Sequence, residues 1–171
     1  PEPEPVSEEW TCPGGPQLEM VELSSPAEVF IEPNRVALRL EHNDGDGDID
    51  GSSDSEEIFS NGGNDRIKAG TGSDNVWTGE GNDTIYGERG SDYLNGKEDN
   101  DIVHGGKEDD RLRGGKEDDE LHGDLDNDTM LGEKGNDTMW GGAIDDRDTE
   151  GLDLMSGGEG NDFLGGNQGN D

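Results

Sequence analysis

The sequence predicts an all-β fold, a solenoid of short strands recurring every nine residues behind a small β cap. Two columns and one absence carry that expectation. Stepping by nine from Ile31 meets Leu40, Ile49, Ile58, Ile67, Val76, Ile85, Leu94, Val103, Leu112, Leu121, Met130 and Met139, thirteen aliphatic residues without a miss. Such residues make up about one position in six, so chance gives this run odds on the order of 10⁻¹⁰. Two places before the aliphatic, from residue 65 onward, stands an aspartate: Asp65, Asp74, Asp83, Asp92, Asp101, Asp110, Asp119, Asp128 and Asp137. No apolar stripe of helical period runs anywhere in the chain, so almost no helix is expected.

Composition alone would argue for disorder. Of 171 residues only 25% are hydrophobic and 5% aromatic, the formal net charge is −33, and 30 residues are glycine. Such a chain has too little apolar surface to offset the entropy of ordering it, so something besides a hydrophobic core must hold it. The charge argues against nucleic acid and anionic lipid as partners, since both would be repelled. A cation is the natural partner. No apolar run reaches the roughly 18 residues of a membrane helix, so no membrane insertion is expected. No basic segment followed by an apolar run marks a signal peptide. The single cysteine, Cys12, has no internal partner and is expected to be a plain thiol.

In chain order, residues 1–16 are a Pro/Glu-rich linker that opens on the stiff PEPEP of Pro1 to Pro5. Residues 17–41 are expected to form a short β capping segment. Leu18, Met20, Val21 and Leu23, then Val29 and Ile31, then Val36, Leu38 and Leu40 give partly alternating runs, broken at Ser24-Ser25-Pro26 and Pro33-Asn34. Residues 42–59 are an acidic loop leading into the array, and residues 60–171 are the array itself. Between Gly141 and Ser156 one repeat is sixteen residues long, after which Gly157-Gly158-Glu159-Gly160-Asn161-Asp162-Phe163-Leu164 restores the phase. This predicts a bulged loop that leaves the array in register. Asp153, rather than Asp146, should hold the aspartate position there, because Met155 follows it at the strand spacing.

Thr78-Gly79-Glu80-Gly81-Asn82-Asp83-Thr84-Ile85-Tyr86 and Gly132-Glu133-Lys134-Gly135-Asn136-Asp137-Thr138-Met139-Trp140 show the repeat in full. It resembles the nonapeptide G-G-x-G-x-D-x-U-x (U aliphatic) of the repeats-in-toxin (RTX), or hemolysin-type calcium-binding, family. The resemblance implies a parallel β-roll: each six-residue loop turns the chain, each x-U-x is a short strand, and two nonapeptides complete a coil. It also implies that Ca²⁺ ions sit between loops stacked along one edge, eighteen residues apart. One edge then stacks Asp65, Asp83, Asp101, Asp119 and Asp137, and the other Asp74, Asp92, Asp110 and Asp128, with Asp153, Asp162 and Asp171 extending the set. If each neighbouring pair shares an ion, about seven or more are bound.

The residue chemistry agrees. Ca²⁺ is a hard ion that takes about six to eight oxygens, and carboxylates with inward-pointing carbonyls supply them. A turn by itself would accept Asn or Ser as readily as Asp. The position before the column does vary in that way, as Asn64, Ser73, Asn82, Ser91, Asp109 and Asp118. In mid-array the fourth repeat position is acidic (Asp99, Glu108, Glu117, Asp126), and these side chains are expected to be solvated. Residues 46–57 match the calcium-loop pattern D-x-D-x-D-G-x₅-E. Asp46, Asp48, Asp50, Asp54 and Glu57 are therefore further candidate ligands, in a helix-free loop merging into the roll.

No H-E-x-x-H, G-x-S-x-G or Walker-type loop occurs, so no catalytic apparatus is expected in these residues. His42, His104 and His122 are too separated for the usual zinc spacings. Lys68, Tyr86, His104, His122 and Trp140 share one outward position and should form a ladder by cross-strand packing. The expected function is calcium binding by a rigid structural element of a secreted or cell-surface protein, such as a surface layer, sheath or adhesin. Its expected partners are calcium and other copies of itself or surface components. The alternative is the secretion-and-folding module of an exported enzyme or toxin.

Overall fold

The computed structural model describes residues 28–30, 38–42, 44–142 and 151–166. The linker, Cys12, the runs at Leu18 and Ile31, Asp146 and Asp171 lie outside the described residues. Within them the chain is all β, in fifteen strands. The first eight are β1 (Glu28–Phe30), β2 (Leu38–Glu41), β3 (Asp48–Asp50), β4 (Glu56–Gly62), β5 (Arg66–Thr71), β6 (Asn75–Glu80), β7 (Thr84–Arg89) and β8 (Tyr93–Lys97). The rest are β9 (Ile102–Gly106), β10 (Arg111–Lys116), β11 (Glu120–Asp124), β12 (Thr129–Lys134), β13 (Thr138–Gly142), β14 (Leu154–Glu159) and β15 (Phe163–Gly165).

From β2 onward successive strands alternate between two sheets, one ordered β1-β2-β4-β6-β8-β10-β12-β14 and the other β15-β13-β11-β9-β7-β5-β3. The ladders are parallel, except that β1 meets β2 antiparallel. The molecule is a parallel β-roll. Each coil stacks on the next with the nonapeptides in phase, so that Ile58 pairs with Val76, Val76 with Leu94 and Leu112 with Met130. The opposite sheet aligns Ile67 with Ile85, Ile85 with Val103 and Leu121 with Met139.

This register explains the aliphatic column. From Leu40 to Met139 every member is 0–1% exposed, and the two rows face each other across a core only one side chain deep. Each buried aliphatic contributes roughly 2 kcal/mol. Parallel stacking puts like on like outside as well. On the outer face Tyr86 stacks on His104 at 5.1 Å and His104 on His122 at 4.4 Å, while Phe59 stacks on Trp77 at 4.7 Å on the other sheet.

The strands run beyond x-U-x. In β5 and β7 the ladder continues into the loop positions, pairing Gly70 with Glu88 and Thr71 with Arg89. Identical loops one coil apart can satisfy each other's backbone groups, so pairing extends as far as the geometry allows. The long repeat leaves the roll in register: β14 pairs with β12 through Met130 and Met155, and β15 with β13 through Met139 and Leu164.

Candidate metal centre

Each loop has six positions, from the residue two after the core aliphatic to the column aspartate. In the loop from Gly96 to Asp101, the aspartate is 1% exposed. Its Oδ1 accepts the N–H of Asp83, one coil earlier, at 2.8 Å, and its own N–H donates to Asp119 Oδ1 at 2.9 Å. Its carbonyl oxygen accepts the N–H of Glu120 at 2.8 Å. The same bond to Oδ1 recurs along both edges, as at Asp74, Asp92, Asp110, Asp128 and Asp137.

That leaves Oδ2. In Asp74, Asp92, Asp101, Asp110, Asp119, Asp128 and Asp137 this oxygen is buried and no hydrogen-bond donor reaches it, whereas the Asp83 carboxylate has the Thr78 hydroxyl beside it. A buried charged oxygen without a partner is costly, and a whole column of them calls for a cation. The carboxyls titrate accordingly. Burial, partly offset by the accepted N–H and at Asp83 also by the Thr78 hydroxyl, pushes Asp83 up to about 6 and Asp92 and Asp119 to about 7. Asp101 and Asp110 rise to about 8 and Asp128 to about 9, for the same cause.

Backbone lines the other side of the site. A Cβ on Gly87, at the first loop position, would stand 2.6 Å from Asp92 Oδ2 and 2.4 Å from the Gly105 carbonyl oxygen. On Gly105 it would meet Asp110 Oδ2 at 2.5 Å and the Gly123 carbonyl at 2.7 Å. Glycine is required there because a carboxylate and a carbonyl of the next coil face the same space. An anionic, all-oxygen lining fits a hard cation such as Ca²⁺. The sequence matches the RTX calcium-binding nonapeptide repeat (4 copies) over residues 50–85, 59–94, 69–103, 95–130, 113–147 and 147–171. The chain belongs to this family.

RTX repeats bind calcium and play a structural part, and this roll has the oxygens for both. No curated protein matches the chain. Among the described residues no three His, Cys, Asp or Glu side chains converge on one point. Column carboxylates lie a full coil apart, so an ion in an RTX roll of this shape must draw on backbone carbonyls as well.

The remaining RTX candidates fall into place by coil. Asp153 stands in the column, 7% exposed, with Oδ1 accepting the Asp128 N–H at 2.9 Å across 25 residues, seven more than the usual 18. Half-buried Asp162 does the same for Asp137 at 3.0 Å. The acidic loop is different, because the structure does not gather its five acids. Asp48 and Asp50 project outward from β3 around the buried Ile49, Asp54 is exposed, and Glu57 lies in β4. The Asp46 carboxylate accepts the Asn64 N–H at 2.8 Å. The nine-residue phase puts Ile49 in the core, as the merging of this loop into the roll requires.

Three features escaped sequence reasoning. Glu56, one step before Asp65, holds the column position, 1% exposed, with its N–H on Asp74 Oδ1 at 2.7 Å and its carboxylate on the Ser52 hydroxyl and N–H. Extending the column backward and admitting Glu would have found it. The fifth position is a second ladder of opposite polarity. Asn82 N–H donates to Asn64 Oδ1 at 2.9 Å, Asp118 N–H to Asn100 Oδ1 at 2.9 Å, and Asn136 N–H to Asp118 Oδ1 at 2.7 Å. Its signal was the restriction to Asn, Asp and Ser, all short acceptors.

The fourth-position acids, expected to be merely solvated, are exposed but bonded. Asp99 takes the Gly81 N–H at 3.1 Å, Glu108 the Gly90 N–H at 2.9 Å, and Glu117 the Asp99 N–H at 3.0 Å. The reach of a side chain to the coil before it was not visible in one dimension.

Proposed function

We propose that this chain is a calcium-stabilised structural element of a secreted or cell-surface protein, such as a surface layer, sheath or adhesin. The supporting observation is the pair of buried aspartate columns in which the Oδ2 atoms of Asp74, Asp92, Asp101, Asp110, Asp119, Asp128 and Asp137 lack donors. Asp65, Asp74, Asp83, Asp92, Asp101, Asp110, Asp119, Asp128, Asp137, Asp153 and Asp162 are the proposed carboxylate ligands, with loop carbonyls completing the shell. About seven ions would offset roughly 14 of the 33 net negative charges. Calcium supplies the positive charge that lets neighbouring coils close on each other. Extracellular modules bind at about 10⁻⁴ to 10⁻³ M, a concentration met outside cells.

The test is circular dichroism across a calcium titration. Excess chelator should leave a mostly disordered chain, and millimolar Ca²⁺ should restore β signal cooperatively. Mg²⁺ should substitute poorly, because it dehydrates reluctantly and demands octahedral geometry. Equal β content with and without chelator sinks the calcium requirement. A midpoint below micromolar removes the support for an extracellular setting.

A further inference from the structure

Along the edge that carries Asp65, Asp83, Asp101, Asp119 and Asp137, the first loop position reads Ser60, Thr78, Gly96, Gly114 and Gly132. Ser60 and Thr78 are 0% and 2% exposed. The Thr78 hydroxyl donates to the Gly96 carbonyl at 2.7 Å, and the Ser60 hydroxyl to the Thr78 carbonyl at 3.3 Å. Both bonds cross the gap between one coil and the next. At the glycine positions the atom nearest the same space is a carboxylate oxygen. A Cβ on Gly114 would stand 2.2 Å from Asp119 Oδ2, and one on Gly132 would stand 2.1 Å from Asp137 Oδ2 and 2.7 Å from the Gly157 carbonyl.

Resting on the calcium reading above, we propose that hydroxyl bridges from Ser60 and Thr78 take the place of calcium in the first two gaps of this edge. Ions on this edge are then confined to the three gaps between the loops ending at Asp101, Asp119, Asp137 and Asp162, which narrows the ligand set proposed above by Asp65 and Asp83. In a bridged gap the first-position side chain fills the space. The carbonyl that faces an ion elsewhere already accepts a hydrogen bond. The Ser60 and Thr78 hydroxyls also lie within hydrogen-bonding reach of the Asp65 and Asp83 carboxylates, so these two acids have a partner other than an ion. The neighbouring His42 suits the same end of the edge. A Cβ on Gly47, at the sixth position of its loop, would meet the His42 ring at 2.6 Å, and His42 Nδ1 lies 3.9 Å from Asp65 Oδ1. In a solenoid each coil is templated by its neighbour. A bridged end gives the calcium-dependent coils a preformed surface on which to close.

The experiment counts calcium ions on the folded chain by native mass spectrometry at saturating Ca²⁺. Thr78→Gly, which gives this loop the residue found at Gly96 and Gly114, should bind one more ion than wild type. Ser60→Gly should independently do the same. Thr78→Val keeps the bulk and removes the oxygen, and should leave the count unchanged. A lower count in Thr78→Val means that the hydroxyl is a ligand and overturns the inference. So does an unchanged count in both glycine variants of a chain whose wild type fills with calcium. A wild type that takes up no calcium at all overturns the calcium reading, and this inference with it.

Discussion

Asp119 uses every polar atom it has except one. Its Oδ1 accepts the Asp101 N–H at 2.9 Å, its N–H donates to Asp137 Oδ1 at 3.0 Å, and its carbonyl takes the Thr138 N–H at 2.8 Å. Asp119→Asn preserves all three bonds and the shape, but removes the charge facing the gaps on either side. It should weaken calcium binding about tenfold or more, since a loss of about 1.4 kcal/mol already does so. The control is Glu117→Gln, two residues away and equally acidic, whose exposed side chain keeps an acceptor for the Asp99 N–H. It should shift the midpoint only slightly. Indistinguishable calcium titrations of the two variants would show that the column is not the ligand set. The ligand position was legible because aspartate recurs there where Asn would serve a turn equally well. Its carbonyl partners were not legible, because backbone oxygens carry no letter in a sequence.

At the scale of the loop, the second and fourth positions turn the chain through left-handed backbone. Glycine meets this at Gly79 (φ 130) and Gly81 (φ 118), whereas mid-array loops force side chains into it, at Asp99 (φ 74), Glu108 (φ 71), Glu117 (φ 69) and Asp126 (φ 77). Such a residue costs about 1 kcal/mol or more relative to glycine. Asp126 recovers part of this by accepting the exposed Glu108 N–H at 3.1 Å, a bond that water can replace. Asp126→Gly should therefore raise the melting temperature of the calcium-loaded protein, by about 2–4 °C per kcal/mol gained. A fall would show that the carboxylate bond between coils outweighs the strain. Strand positions were readable from the aliphatic period, since one core-facing residue per strand recurs whatever lies outside. In the acidic loop of residues 46–57 a motif twelve residues long overlaps a period of nine, and Ile49 and Ile58 are buried in the phase of the roll. The bonds of the fourth and fifth positions join residues 18 apart, and become visible only once coils are stacked.

Over the whole roll, protons and calcium compete for the same carboxylates, and this gives the molecule two opposite responses to pH. In the unfolded chain these groups ionise near the ordinary value of 3.8, while in the calcium-free roll burial raises Asp83 to about 6, Asp110 to about 8 and Asp128 to about 9. Between those values the calcium-free roll binds more protons than the unfolded chain. Its stability is therefore greatest in acid and is lost as pH rises through about 6 to 9. With calcium the order reverses, because the ion requires ionised carboxylates and acid releases it. Circular dichroism of thoroughly decalcified protein should show more β structure at about pH 4.5 than at about pH 8. At a fixed calcium concentration near the midpoint, β structure should instead decline on acidification. Acid also relieves general repulsion in a chain of net charge −33, so the decisive comparison is a variant. Asp110→Asn carries no titrating group at that site. In decalcified protein it should flatten the pH dependence and stabilise the roll at neutral pH, whereas Asp109→Asn, at an exposed neighbouring acid, should leave the slope nearly unchanged. Equal slopes for the two variants would assign the response to net charge rather than to the buried column.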